Sequence, residues 1–176
     1  MSQQVTTPPC LHLAMSSLQA PSLRVVSLLP SLTEIVCMVE ELQNSLVGVT
    51  HECDYPPDVV KRCERVTTSE INPHTMSQEE IDRRVRGSLA MGHSLYGLDE
   101  TKLAKADPTI VFTQALCDVC APAYPMVLAT CAKILGENPK IVSIEPGSLA
   151  EVVDSVRLVG RETGLAEQGE AAALRL

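Results

Sequence analysis

The chain has 176 residues, 45% of them apolar and 20% charged, with a formal charge of -8 at pH 7. Such a chain is globular and long enough to bury an apolar core without disulfide or metal staples. The acidic balance, with basic residues grouped only at Arg83, Arg84 and Arg86, argues against nucleic-acid binding, and the absence of a run of ~18 apolar residues argues against membrane insertion.

One Phe, three Tyr and no Trp leave the core to Leu, Val, Ile, Ala and Met. Seven cysteines in a chain of this size point to reduced thiols in a cytosol-like compartment. Residues 1–22 carry Ser, Thr, Gln and Pro without the charged start and apolar centre of a signal peptide. They are expected to form a disordered leader, and the protein to be cytoplasmic.

In chain order, Arg24 to Pro30 reads as a strand buried on both faces. Ser31 is placed to cap a helix running to about Leu42, with Glu34 completing a capping box. Leu46 to Thr50 is a second strand, after which the paired prolines of His51-Glu-Cys-Asp-Tyr-Pro-Pro57 enforce an irregular loop. Val66 to Ser69 is a third, short strand, and Ser77 starts a helix to about Met91. A helix over Asp99 to Ala106 ends at Asp107-Pro108, before the strand Thr109 to Thr113. Pro122 to Leu135 is helical, Lys140 to Ile144 is a strand, and Ser148 caps a helix whose Val152, Val153, Val156 and Val159 keep helical spacing. Whether that last helix runs past Gly164 to the end or is weakened by Gly164 and Gly169 is left open by the pattern. The alternation predicts an α/β fold with an open, mainly parallel sheet flanked by helices and ending in a long helix.

In such sheets ligands sit beyond the carboxyl ends of the strands. His51 to Pro57 and Cys117-Asp-Val-Cys120 each follow an apolar strand, so both loops are expected to line one crevice. Cys117 and Cys120 have the spacing to share a tetrahedral ion, with His51 and Cys53 completing a three-cysteine, one-histidine site for zinc or a softer metal. The same thiols also read as reduced and partly buried, or as a redox dithiol near a helix start. Cys37 and Cys131 fall on apolar helix positions and belong to the core, whereas Cys63 lies in a charged stretch and is expected to be exposed. His74 and His93 read as surface residues and Asp54 as an acceptor for loop N–H groups. Glu145 either faces the crevice or is solvated. Ser31 lacks a Gly-x-Ser-x-Gly turn, and no phosphate-cradling glycine loop occurs, so an enzyme is not expected.

Four segments carry a family resemblance: the strand ending in Leu-Pro-Ser-Leu-Thr-Glu34, Val-Gly-Val-Thr-His-Glu-Cys-Asp-Tyr-Pro-Pro57, Asp107-Pro-Thr-Ile-Val-Phe-Thr-Gln114, and Ile141-Val-Ser-Ile-Glu-Pro146. Together they resemble the vitamin B12 and iron-chelate binding proteins of ABC importers, most closely a cobalamin-binding branch. That family joins two α/β lobes by a rigid helix and holds its ligand between them. The resemblance implies an amino-terminal lobe over residues 23–147 and a connecting helix over 148–176, with the second lobe absent, as in a truncated form or a lobe that forms a homodimer. It implies ligand-facing positions at Ser31, His51, Glu52, Cys53, Asp54, Ser69 and Gln114, joined by Cys117 and Cys120, and transporter docking near Glu100. Relatives place aromatic rings where this chain has Glu52, Ser69 and Gln114, with Tyr55 and Tyr124 as nearby substitutes. The implied ligand is cobalamin or another small metal chelate, handled rather than imported. A metal-binding or thiol-redox protein, or a dimerising lobe without transport ligand, is the alternative.

Overall fold

The computed structural model describes residues 22–91, 94–115 and 122–176; Cys10, His93, Cys117 and Cys120 lie outside them. The strands are β1 (Val25–Ser27), β2 (Leu46–Val49), β3 (Glu64–Arg65), β4 (Thr67–Ser69), β5 (Tyr96–Leu98), β6 (Ile110–Thr113) and β7 (Lys140–Ser143). The α-helices are α1 (Pro30–Met38), α2 (Pro57–Val60), α3 (Gln78–Met91), α4 (Glu100–Ala106), α5 (Tyr124–Leu135), α6 (Leu149–Glu162) and α7 (Ala166–Ala173). Five strands form a wholly parallel sheet in the order β3-β2-β1-β6-β7, and β4 pairs antiparallel with β5 beside it.

The alternation of side chains across the strands builds two cores. Val25, paired with Ile110, and Phe112 face a cluster that includes Val36 of α1, Val156 and Val159 of α6, and Ala172 and Ala173 of α7. Val26, paired with Val111, faces the opposite layer with Leu103 and Ala106 of α4 and Val127 and Cys131 of α5. Val25, Val26 and Ser27 are all fully buried, as a central parallel strand requires.

Local chemistry accounts for most boundaries. Ser77 and Glu80 form a reciprocal capping box before α3, the Ser77 N–H donating to Glu80 Oε2 at 2.7 Å and the Glu80 N–H to Ser77 Oγ at 3.3 Å. Asp99 accepts the Lys102 N–H at 3.0 Å and caps α4, and Ser148 accepts the Glu151 N–H at 3.3 Å and caps α6. Two expectations need correction, and one question left open by the sequence is answered. Leu29, not Ser31, is the N-cap of α1, because Pro30 takes the first helical position with its ring already at a helical φ; Ser31 is left exposed in the first turn. Cys63 is only 8% exposed, its sulfur donating to the carbonyls of Leu46 and Val59 at 3.2 and 3.3 Å. The helix capped by Ser148 stops at Glu162, where the chain turns through Gly164 at a φ of 78° and sends α7 back across α6. The two helices cross at Gly160 and Gly169, where a Cβ on Gly160 would fall 2.7 Å from the Gly169 Cα.

Candidate functional site

Sheet order places β1 between β2, reached through α1, and β6, reached only after the whole β3–α4 excursion. Chain direction therefore diverges on either side of β1, and the loops after β1, β2 and β6 open on one edge, the position where open α/β sheets bind ligands. A cavity of about 80 Å³ lies there, lined by residues including Leu28, Pro30, His51, Thr67, Tyr96 and Pro122. A more open one of about 440 Å³ lies on the other side of His51 and Glu52, against Cys53, Asp54, Lys61 and Arg65. The larger cavity found along α3 is walled by residues of that helix and Met76, away from these strand ends.

His51 stands between the two cavities. Thr67 Oγ1 on β4 accepts its backbone N–H at 2.9 Å and meets its Nδ1 at 2.7 Å, fixing the residue once through the backbone and once through the ring. Tyr96, across the hairpin on β5, packs a tilted ring 5.4 Å from the imidazole centroid. Nε2 is buried and has no hydrogen-bond partner among the described residues; Glu52 Oε1 lies 3.2 Å away but out of line for a hydrogen bond. Thr67 Oγ1 has two lone pairs, so it can take both the backbone N–H and an Nδ1–H, a tautomer that leaves Nε2 with a free lone pair.

The loop that carries His51 is tied down from below. Thr50 Oγ1 accepts the Glu52 N–H at 3.0 Å, and the Arg65 guanidinium donates to the Thr50 carbonyl at 2.8 Å and to the Cys53 carbonyl. Thr50, not Asp54, is thus the side-chain acceptor for the loop backbone, and Asp54 sits exposed on the rim of the outer cavity. Cys53 faces inward at 2% exposure, its sulfur 3.1 Å from Thr33 Oγ1 and 3.3 Å from Thr50 Oγ1. Thr33 spends its one hydroxyl proton on Ser27 Oγ at 2.9 Å or the Leu29 carbonyl at 3.1 Å, and Ser27 donates to the same carbonyl at 3.0 Å. One assignment of protons satisfies every contact: Thr50 donates to Cys53, Cys53 to Thr33, Thr33 to Ser27 and Ser27 to Leu29.

Cys53 was expected to face a ligand or a metal; its sulfur lies among these hydroxyls while the residue also borders the outer cavity. Its sulfur is a buried link between the β2 loop and the first turn of α1. Among the described residues no group of three His, Cys, Asp or Glu side chains is placed to hold a metal ion; Cys117 and Cys120 lie outside the described residues. Burial also pushes the Cys37 thiol up to about 11 and raises Cys63 and Cys131, so these sulfurs are poor nucleophiles and poor ligands at neutral pH.

The other expected positions are scattered. Ser69 closes its own turn, donating to the Ile71 carbonyl and accepting the Ile71 N–H, both at 3.0 Å. Gln114 lies half-buried just past β6. Glu145 joins the ends of β6 and β7, its Oε1 accepting from the Ala115 N–H at 3.0 Å and from Ser143 Oγ at 2.7 Å. Glu100 is paired on the surface with Lys133 of α5 at 2.8 Å. Of the aromatic substitutes, Tyr55 is 60% exposed and Tyr124 opens α5, while the ring that meets His51 is Tyr96. Sequence reasoning missed Tyr96, Thr67 and Arg65. Thr67 and Arg65 lie in or beside a short strand run with nothing to mark their side chains, and β5 is three residues long and reads as loop.

Solved structures with this fold come from solute-binding proteins. The chain is similar to a possible iron-binding, periplasmic solute-binding protein of Staphylococcus epidermidis at a TM-score of 0.59 and 20% identity, over 86% of this chain and 46% of the other. It is similar to a periplasmic heme-binding protein of Roseiflexus at 0.57 and 20%, over 87% and 45% of the two chains. A periplasmic vitamin B12 binding protein of Vibrio cholerae matches at 0.57 and 22%, over 86% and 46%. No family model and no curated protein matches the chain. The chain spans less than half the length of these neighbours, and as periplasmic proteins they give no support to the cytoplasmic location expected from the thiols. No helix among the described residues is long and apolar enough to cross a membrane. The chain folds as one α/β lobe of the kind these solute-binding structures contain.

Proposed function

We propose that the chain is a lobe of a solute-binding protein that recognises cobalamin or a related metal chelate at the strand-end crevice, with His51 as the residue that meets the chelated metal. The observation that carries this reading is the His51 imidazole: it is held by Thr67, packed by Tyr96, and its Nε2 has no hydrogen-bond partner among the described residues. Solved neighbours titled for iron, heme and vitamin B12 support the ligand class. The inner cavity of about 80 Å³ holds only two or three waters' volume, so the chelate lies across the rim and sends one substituent inward. A crevice open on one side buries less than the ~70–90% of ligand surface usual in a formed pocket. Binding by this lobe alone is accordingly weak, and a second lobe or a second copy of the chain over the crevice strengthens it.

Aquacobalamin added to the purified protein should change its visible spectrum as the cobalt exchanges water for imidazole, and the corrinoid should be retained on gel filtration. His51→Ala should abolish the spectral change. Protein that neither shifts the spectrum nor retains cobalamin or hemin would sink the chelate reading.

A further inference from the structure

We infer that Glu52 is a movable cover on His51 and selects for chelates whose metal has an exchangeable axial ligand, an inference that rests on the chelate-binding reading. His51 and Glu52 line both cavities, so the pair is the partition between the inner pocket and the open outer one. On the ring's far side the position is fixed by Thr67, and the imidazole has little freedom to turn away. On the near side Nε2 is closed off from solvent with Glu52 Oε1 3.2 Å away.

The two side chains differ in how firmly they are held. The His51 side chain is 25% exposed and held by a hydrogen bond to Thr67 and the ring of Tyr96; that of Glu52 is 60% exposed, and its carboxylate is misaligned for a hydrogen bond to Nε2. Displacing it therefore costs little, because water solvates the carboxylate in place of a poor contact. Standing against Nε2, Glu52 blocks the ring nitrogen that a metal would have to reach. The coordination step is a substitution: the bond from Nε2 to the metal forms, the bond from the metal to its axial water breaks, and the water leaves with no change of oxidation state. A chelate with both axial positions filled by strong ligands gains nothing from moving Glu52. The outcome is a selection made by the metal's free valence rather than by the outline of the macrocycle.

The cover is tested first without any chelate. Diethyl pyrocarbonate acylates accessible neutral imidazole nitrogens, and peptide mass spectrometry reads each histidine separately. In the wild-type protein His51 should react more slowly than exposed His74, and Glu52→Ala should speed His51 by roughly twofold to fivefold, the scale of an exposed ion pair, leaving His74 unchanged. The same variant should bind aquacobalamin tighter by a similar factor, read from the visible spectrum, with cyanocobalamin binding unaltered. Glu52→Gln, which keeps the size but not the charge, should fall between them. A His51 that reacts as fast as His74 in the wild type, or a Glu52→Ala that leaves both readouts unmoved or weakens aquacobalamin, overturns the inference. Faster acylation in Glu52→Ala with no cobalt spectral change in any protein upholds the cover and sinks the chelate reading instead. Because Glu52 is exposed and supports no core contact, circular dichroism should confirm that the variants fold.

Discussion

The loop from Thr50 to Asp54 and the excursion from Glu70 to Leu95 both rise from the strand ends, yet they are built in opposite ways. In the loop, backbone and side-chain atoms are tied to Arg65, Thr33 and Thr67 on three separate elements, and a cysteine is driven to 2% exposure. In the excursion, α3 has no fully buried side chain among those described, and its pairs Arg83–Glu79 and Arg86–Asp82 are internal to the helix. The contrast separates two meanings of a conspicuous motif. Cys53 anchors the loop and His51 is what the anchored loop presents.

If the loop is as tightly determined as its contacts imply, cutting those contacts should cost the most. Arg65→Ala leaves the carbonyls of Thr50 and Cys53 without a charged donor and should destabilise the fold by about 2–3 kcal/mol in urea denaturation. A loss below the ~0.5 kcal/mol of a plain surface change would show that the loop is no firmer than α3. Thr33→Val comes next. It interrupts the proton-ordered chain between Cys53 and Ser27 and should cost about 1–3 kcal/mol, whereas Cys53→Ser, which preserves one donor and one acceptor, should cost less than Cys53→Ala.

The pH response sharpens the same contrast, because the buried thiols lie in the core and α3 carries none. Burial raises the Cys37 pKa from 9.0 to about 11 and raises those of Cys63 and Cys131. A raised folded-state pKa means that the folded protein holds its proton longer than the unfolded chain. Stability from Cys37 is therefore complete below pH 9 and is lost as pH climbs toward 11. Where only the unfolded thiol is ionised, the slope is about 1.4 kcal/mol per pH unit for each thiol. Denaturation midpoints measured from pH 8 upward should fall along that course, and Cys37→Ala should flatten the fall. An unchanged slope in the variant would remove Cys37 as a cause.

The same physics decides what could be read from the sequence. Buried parallel strands announce themselves as apolar runs, so β1, β2, β6 and β7 and the α/β class were legible, as were the Ser77 and Ser148 caps. His51 and Glu52 were legible as residues that follow a strand end. Their partners were not: Thr67 reaches His51 because β4 continues past β3 and turns into a hairpin, and Tyr96 lies on the far strand of that hairpin, beyond a long excursion. Ser31 misled because a serine three residues before Glu34 reads as a capping box, while Pro30 at the first helical position sets the cap two residues earlier, at Leu29. The hydroxyl partners of Cys53 were not legible, because spacing cannot say which side of a loop a thiol faces.

The smallest effect belongs to α3 and is the sharpest test of the comparison. Arg83 and Glu79 stand one helical turn apart, 3.2 Å between charged atoms, with side chains 70% and 86% exposed. At that exposure water screens the attraction and ordering two long side chains offsets much of it, leaving roughly 0.3–0.5 kcal/mol for a pair of this type. Arg83→Ala should therefore shift the urea midpoint barely beyond error at low salt and not at all at high salt, where screening removes the remainder. A loss as large as that of Arg65→Ala would mean that Arg83 holds α3 against the rest of the lobe, and the division between an anchored loop and a self-supporting excursion would fall. A salt-sensitive loss of a few tenths would leave α3 as an element that folds on its own terms beside an anchored strand edge.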